Sequence, residues 1–162
     1  MTQAKTAAHA DWEVGEKLGV SSWMQVSQKQ IDAFGAITDD LEPLHNDPEW
    51  CANNSPYGQP IAYGFLTLSL LTKFMHEATA DAMRGHAGTR SFPLNYGFDR
   101  IRFISPVLSG SRIRAHFTLK ERKQRADGDM LRIDVTIEIE GQDRPALSAD
   151  WLTMWVMEAA YA

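Results

Sequence analysis

The sequence predicts an α+β domain in which a curved antiparallel sheet wraps around one long buried helix. Three observations carry this expectation. Residues 60–83 place Ile61, Phe65, Leu66, Leu68, Leu70, Leu71, Phe74 and Met75 in nearly every direction around a helix, so protein has to enclose it. Ile113, Ala115, Phe117 and Leu119 alternate with polar residues, as do Leu131, Ile133, Val135, Ile137 and Ile139, and period two over such lengths means strands. Asp127-Gly128 and residues 141–145 are turn signals between consecutive runs, which makes a meander with short antiparallel connections the simplest topology.

The elements follow in order. Residues 22–26 suit a short strand, and Ser27-Gln28-Lys29-Gln30 has the capping-box form of a helix start. Ile31, Phe34 and Ile37 give that helix one apolar face until Asp39 and Pro43 end it. Asp47-Pro48-Glu49-Trp50 resembles an N-cap with proline at the first helical position, and residues 53–58 read as a loop before the long helix. The first strand of the sheet is expected over residues 96–103. Residues 146–157 are apolar on both faces, with Trp151 and Trp155 on one and Leu152, Met154 and Val156 on the other, the pattern of a central or interface strand.

The chain has 162 residues, 44% hydrophobic and 23% charged, which suits one domain over residues 11–162 behind a flexible N-terminal leader, residues 1–10. A net charge of -5 gives no electrostatic footprint for nucleic acid. The one cysteine, Cys51, cannot form an intrachain disulfide, and nothing beside it marks a base that would make it a nucleophile; a reducing cytoplasm fits. The N-terminus lacks the apolar run of a signal peptide. The uncharged run over residues 57–72 falls short of the ~20 apolar residues of a membrane span, so no membrane association is expected.

Proton chemistry concentrates in Asp39-Asp40-Leu41-Glu42-Pro43-Leu44-His45-Asn46-Asp47-Pro48. Asp40 and His45 would lie about 140° apart on a helix, and Pro43 is expected to remove the helix, so that the chain reverses between them and aims both side chains at one point. A carboxylate and an imidazole so placed form an acid/base pair able to grip a water. Capping and turn duty for Asp39, Asp40 and Asp47 is the competing reading. Asp40, Glu42, His45 and Asp47 are also possible metal ligands, but their spacing fits neither an EF-hand loop nor the usual zinc patterns, and no metal is expected. Pro60-Ile61-Ala62-Tyr63-Gly64 opens the long helix, where unpaired N–H groups and the helix dipole suit an oxyanion. Alternatively, Gly64 only relieves crowding against the sheet. Arg100 and Arg102 could meet phosphates or form a solvated strand face, and His76, His86 and His116 have no partner pattern.

Together, Asp40-Leu41-Glu42-Pro43-Leu44-His45, Pro60-Ile61-Ala62-Tyr63-Gly64 and Arg102-Phe103-Ile104-Ser105-Pro106-Val107 resemble the MaoC-like, (R)-specific enoyl-CoA hydratase family, with similarity from about residue 15 to residue 156. The resemblance implies a single hot-dog fold, usually paired as dimers. It implies that Asp40 and His45 position and deprotonate the water added to a trans-2-enoyl thioester, giving a (3R)-hydroxyacyl product. It gives the thioester oxygen to the Gly64 N–H, with Tyr63 beside it in substrate binding. No cofactor is expected beyond the coenzyme A or carrier-protein thioester of the substrate. Two positions depart from the family pattern: Asp39-Asp40-Leu41-Glu42-Pro43 stands where the family often has Gly-Asp-x-Asn-Pro, and Tyr63 where it often has His. Dehydration of a (3R)-hydroxyacyl-carrier-protein and a noncatalytic acyl-thioester-binding subunit of a hetero-oligomer are the alternatives. A homodimer or even-numbered homo-oligomer is expected, with sheets joined edge to edge and Trp151, Trp155 and Met157 covered by the partner.

Overall fold

A computed structural model of the chain describes residues 8–80 and 91–157. Of the expected leader, residues 1–7 lie outside the described residues, as do residues 81–83 of the expected long helix and His86. Ala8–Asp11 forms a 3-10 turn that leads into β1 (Lys17–Val20) and β2 (Met24–Gln25). Ser27 then caps α1 (Gln28–Thr38) with the reciprocal Ser27 and Gln30 bonds anticipated from sequence. Ile31 is fully buried and Phe34 packs on the core, but Ile37 is 84% exposed, because six residues at 3.6 per turn carry it about 120° around the helix from Ile31.

Pro43 does not abolish helix. It occupies the first position of a single turn, α2 (Pro43–Asn46), which corrects the sequence expectation: proline's missing N–H costs nothing where that N–H has no intrahelical partner. Asp47 caps α3 (Pro48–Asn54) through a 2.8 Å bond from the Trp50 N–H.

The expected continuous helix over residues 60–83 is also corrected. Residues 60–63 are extended, and the helix begins at Gly64 and breaks at Leu70, giving α4 (Gly64–Ser69) and α5 (Leu71–Ala78). Thr67 Oγ1 donates back to the Tyr63 carbonyl and Ser69 Oγ to the Leu66 carbonyl, competing with the backbone ladder and bending it. Leu71, Phe74 and Met75 face the sheet, whereas Phe65 is exposed, so the helix is covered on one side rather than all round.

The six-stranded antiparallel sheet has the order β1-β4-β5-β6-β3, with β2 also pairing β4; its remaining strands are β3 (Ser91–Phe103), β4 (Arg112–Arg125), β5 (Gly128–Ile139) and β6 (Leu147–Met157). The meander expectation holds for β4-β5-β6. It fails for β3, which crosses to the far side of β6 instead of pairing with β4. The two apolar faces of β6 account for this: a strand buried on both sides takes an interior position, and β3 supplies its second neighbour. The inward alternations of β4 and β5 are buried as expected and form the core with α5.

Trp151 and Trp155 do not require a partner chain. Both are buried within this one, Trp151 stacked on Phe98 at 6.0 Å and Trp155 meeting Trp12 edge-on at 5.7 Å. His9 lies over Trp155 at 4.4 Å and reaches Asp129 through Nε2 at 3.1 Å, so the described part of the N-terminal segment supplies the cover. The Met157 side chain lies outside the described ones. On the outer sheet face, buried Asp150 sits 2.7 Å from Lys120, with Arg132 and Arg100 within 4.0 Å; the Lys120 ammonium, chiefly through that hydrogen bond, holds the Asp150 carboxyl below its ordinary range.

Placing Phe74 at the centre of the core and Ile37 in solvent predicts opposite mutational costs. Phe74→Ala should destabilise the fold by about 3–5 kcal/mol in guanidinium unfolding followed by circular dichroism. Ile37→Ala should change it by less than about 0.5 kcal/mol. Equal losses at the two positions would mean that α1 is turned the other way.

Candidate active site

The site is built on residues 60–63, an extended strip that enters α4 and is held from two sides. On one side the Ile61 N–H donates to the Leu44 carbonyl at 3.2 Å. On the other, the Ala62 N–H donates to Val107 at 2.7 Å and the Ser109 N–H to Pro60 at 2.9 Å. The strip therefore ties α2 to the loop after β3.

His45 lies in α2, and its backbone carbonyl accepts a 2.7 Å bond from Gln28 Nε2 at the start of α1. Its ring is fixed twice. Nδ1 lies 2.7 Å from the Ile61 carbonyl oxygen, and the ring rests on Tyr63 with centroids 3.9 Å apart. A carbonyl only accepts, so the bond requires the proton on Nδ1 and leaves the lone pair on Nε2. The imidazole is thereby held in the tautomer of a base.

Tyr63 is buried, and its hydroxyl donates to the Asp40 carbonyl while accepting a 2.6 Å bond from Asn46 Nδ2. Gly35, in α1, permits this: a Cβ there would overlap the Tyr63 hydroxyl and lie 2.8 Å from the Asp40 carbonyl oxygen. Tyr63 thus holds both ends of the Asp40–His45 segment, through the backbone at one end and the ring face at the other. Asp39 turns the chain out of α1 in the left-handed region, with φ 56°, a conformation Asp adopts more readily than most residues.

His45 and Gly64 line one cavity of about 310 Å³, together with Thr67 of α4 and Phe103 at the end of β3. Gly64 opens α4 behind Tyr63, whose side chain makes no capping bond, so the N-cap supplies no acceptor to the first N–H groups of that helix. The crowding explanation for this glycine also has a basis, since an added Cβ would stand 3.0 Å from the Phe103 ring. Tyr63 does not line the cavity but stands behind the His45 ring, and Asp40 is placed outside it as well. Its carboxylate is exposed, accepts a 3.4 Å bond from the Glu42 N–H, and is not among the cavity's lining groups. Among the described hydrogen bonds none joins it to His45.

Arg100 and Arg102 do not line this cavity, and His116 is engaged with Glu138 at 2.7 Å on the sheet. Cys51 is buried beneath α2 with its thiol directed at the Pro43 and Leu44 carbonyls, and burial raises its pKa, which disfavours the thiolate a nucleophile needs. No group of three or more acidic, cysteine or histidine side chains suited to a metal ion occurs among the described residues. Sequence reasoning missed Asn46 and the Ile61 carbonyl. The first stands directly beside His45 and could have been weighed; a backbone acceptor leaves no trace in residue type.

Residues 9–140 match the family described as MaoC like domain. The chain is 43% identical over 142 residues to nodulation protein N of Rhizobium leguminosarum bv. viciae, which covers 87% of this chain and 85% of that protein. It is 35% identical over 143 residues to 3-hydroxyacyl-thioester dehydratase Z of Mycobacterium tuberculosis, covering 88% and 90%. Among solved structures, an (R)-hydratase from A. caviae aligns with a TM-score of 0.67 at 24% identity over 89% of this chain and 97% of that one. An unliganded R-hydratase from Pseudomonas aeruginosa aligns with a TM-score of 0.71 at 18% identity over 93% and 86%. At these identities the structural matches establish the fold, a MaoC-like hot-dog.

The packing of Gly35 under Tyr63 predicts energetic coupling between them. Tyr63→Phe should cost about 1–3 kcal/mol in urea unfolding, because Asn46 and the Asp40 carbonyl each lose a partner. Gly35→Ala should cost a comparable ~1–3 kcal/mol through overpacking. The double variant should be more stable than the sum by about 0.5 kcal/mol or more, since the Phe removes the atom the new methyl meets. Strict additivity would show that the two do not touch.

Proposed function

The chain belongs to the MaoC-like domain family, and on that premise we propose that it is a hydro-lyase acting on acyl thioesters. The reaction adds water to a trans-2-enoyl-CoA and gives a (3R)-hydroxyacyl-CoA. The observation that carries this reading is the His45 imidazole, locked by the Ile61 carbonyl with a bare Nε2 and sharing a cavity with the open start of α4 at Gly64. A base and an oxyanion donor facing one space are what conjugate addition of water requires.

In this mechanism the thioester oxygen accepts a hydrogen bond from the Gly64 N–H, drawing electron density from the double bond. Water, gripped between His45 Nε2 and the Asp40 carboxylate, loses a proton to this pair as its oxygen bonds to C3. The electron pair moves to the thioester oxygen as an enolate. The pair then returns one proton to C2, so that one water is added and the site is restored. Asp40 needs only to turn its exposed carboxylate toward the cavity mouth, while its backbone stays anchored on the Tyr63 hydroxyl.

Dehydration of a (3R)-hydroxyacyl thioester is the same path reversed, and the relative named 3-hydroxyacyl-thioester dehydratase Z supports that direction. A noncatalytic acyl-thioester-binding subunit draws support from a different observation, the Asp40 carboxylate's position outside the cavity lining. We also propose a homodimer or even-numbered oligomer. Among the described residues β3 is an edge strand of the sheet, 13 residues long with Leu94 and Tyr96 exposed, and an apolar edge of that length invites a second strand.

Loss of the enoyl absorbance of crotonyl-CoA should proceed with the wild-type chain and fall about 100-fold or more in Asp40→Asn and in His45→Gln. Unchanged turnover in both variants would remove the assignment; tight acyl-CoA binding with no turnover in either direction would select the binding subunit. Repeating the assay with carrier-protein thioesters separates the two carriers. Light scattering should give an even multiple of the 18.2 kDa chain mass. An active monomer at the assay concentration would refute the edge pairing.

A further inference from the structure

We propose that Tyr57 and Ser105 form a hydroxyl collar at the mouth of the His45 cavity, which recognises a secondary amide on the thiol side of an acyl thioester. This role rests on the acyl-thioester reading and deepens it, since it assigns the two residues that select the thiol half of the substrate.

Four of the side chains lining the cavity carry polar atoms, those of His45, Tyr57, Thr67 and Ser105. Two of them are already committed. His45 Nδ1 faces the Ile61 carbonyl, and the buried Thr67 hydroxyl donates to the Tyr63 carbonyl at 3.3 Å. Among the described hydrogen bonds, neither the Tyr57 hydroxyl nor the Ser105 hydroxyl has a partner in the protein. Tyr57 is 43% exposed and Ser105 is half-buried, which puts both toward the opening and not in the interior. They come from separate segments. Tyr57 belongs to the turn after α3, where its N–H is fixed on Ser55 Oγ at 3.1 Å, and Ser105 to the loop after β3.

This chemistry selects the ligand group. A hydroxyl both donates and accepts, so two of them on different segments can meet the carbonyl and the N–H of one amide. The other lining side chains, Ile61, Phe103 and Val107 among them, are apolar, and no lysine, arginine, aspartate or glutamate lines the cavity. A charged group would be stranded there, whereas an uncharged amide flanked by methylenes keeps its hydrogen bonds. A thioester whose carbonyl lies on the Gly64 N–H sends its thiol arm toward solvent, and so past the collar. In coenzyme A and carrier-protein thioesters alike, two methylenes separate the sulfur from an amide. The collar therefore reads the arm that the two carriers share and not the carrier itself.

The test uses two saturated probes, S-butyryl-N-acetylcysteamine and S-pentyl thiobutyrate, equal in chain length but only the first carrying the amide. Each is titrated against the ¹⁵N-labelled full chain, with dissociation constants read from the Gly64 amide signal. The ratio of the two constants should move about fivefold in favour of the pentyl probe in Tyr57→Phe, and by as much in Ser105→Ala, the loss of roughly one net hydrogen bond each. Taking the ratio cancels any loss that the probes share. An unchanged ratio in either variant would overturn the collar, as would failure of the amide probe to shift Gly64 saturably. Turnover of the matching crotonyl thioesters keeps the two readings apart. Amide-dependent binding without turnover would sink the hydro-lyase reading and leave the collar standing, whereas turnover with an unmoved ratio would do the reverse.

Discussion

The bond from His45 Nδ1 to the Ile61 carbonyl is the constraint on which the rest of the site depends. It fixes three things together: the tautomer of the imidazole, the direction of Nε2, and the distance between α2 and the strip that enters α4. Ile61 can serve this way only because its own N–H is already taken by Leu44 and its neighbour Ala62 is tied to Val107. A free loop carbonyl would rotate away. This one is held in a short ladder between two segments, and the imidazole inherits that rigidity.

The departure at Tyr63 from the family's usual histidine acquires a physical meaning in this setting. Its ring is the floor on which His45 rests, and its hydroxyl bridges Asn46 and the Asp40 carbonyl. A single buried side chain thereby sets the separation of the two candidate proton-transfer residues. Gly35 is the complementary requirement one layer below, since α1 must come close enough for that hydroxyl to reach the Asp40 backbone. The bend at Leu70 serves the same geometry from the other side: α4 turns its start toward His45, while α5 lays Leu71, Phe74 and Met75 on the sheet.

Much of this was legible in the chain because it rests on local rules. The Ser27 capping box, the Asp47-Pro48 start of α3 and the alternations of β4 and β5 are dictated by residues within a few positions of each other, and the structure has all of them. Two elements depart from the commonest effect of their residues. Pro43 was expected to end helical structure and instead begins a turn of it, and the apolar run before residue 83 hid the bend that Thr67 and Ser69 side chains impose. The remaining misses were non-local. Periodicity cannot say that β3 crosses to the far side of β6, nor that His9 and Trp12 return to cover Trp155. Within the site, residue type pointed to His45 and Gly64, which share a cavity, but the acceptor that orients His45 is a main-chain oxygen with no signature in sequence.

The chemistry of the site therefore depends on the state of one imidazole. A long-range ¹H–¹⁵N correlation spectrum of selectively labelled protein, recorded at a pH where His45 is neutral, reads that state directly. The expected result is a His45 ring with its proton on Nδ1, a bare Nε2, and an Nδ1–H slowed in exchange by the Ile61 carbonyl. A ring protonated on Nε2, or one interchanging freely between the two forms, would contradict it.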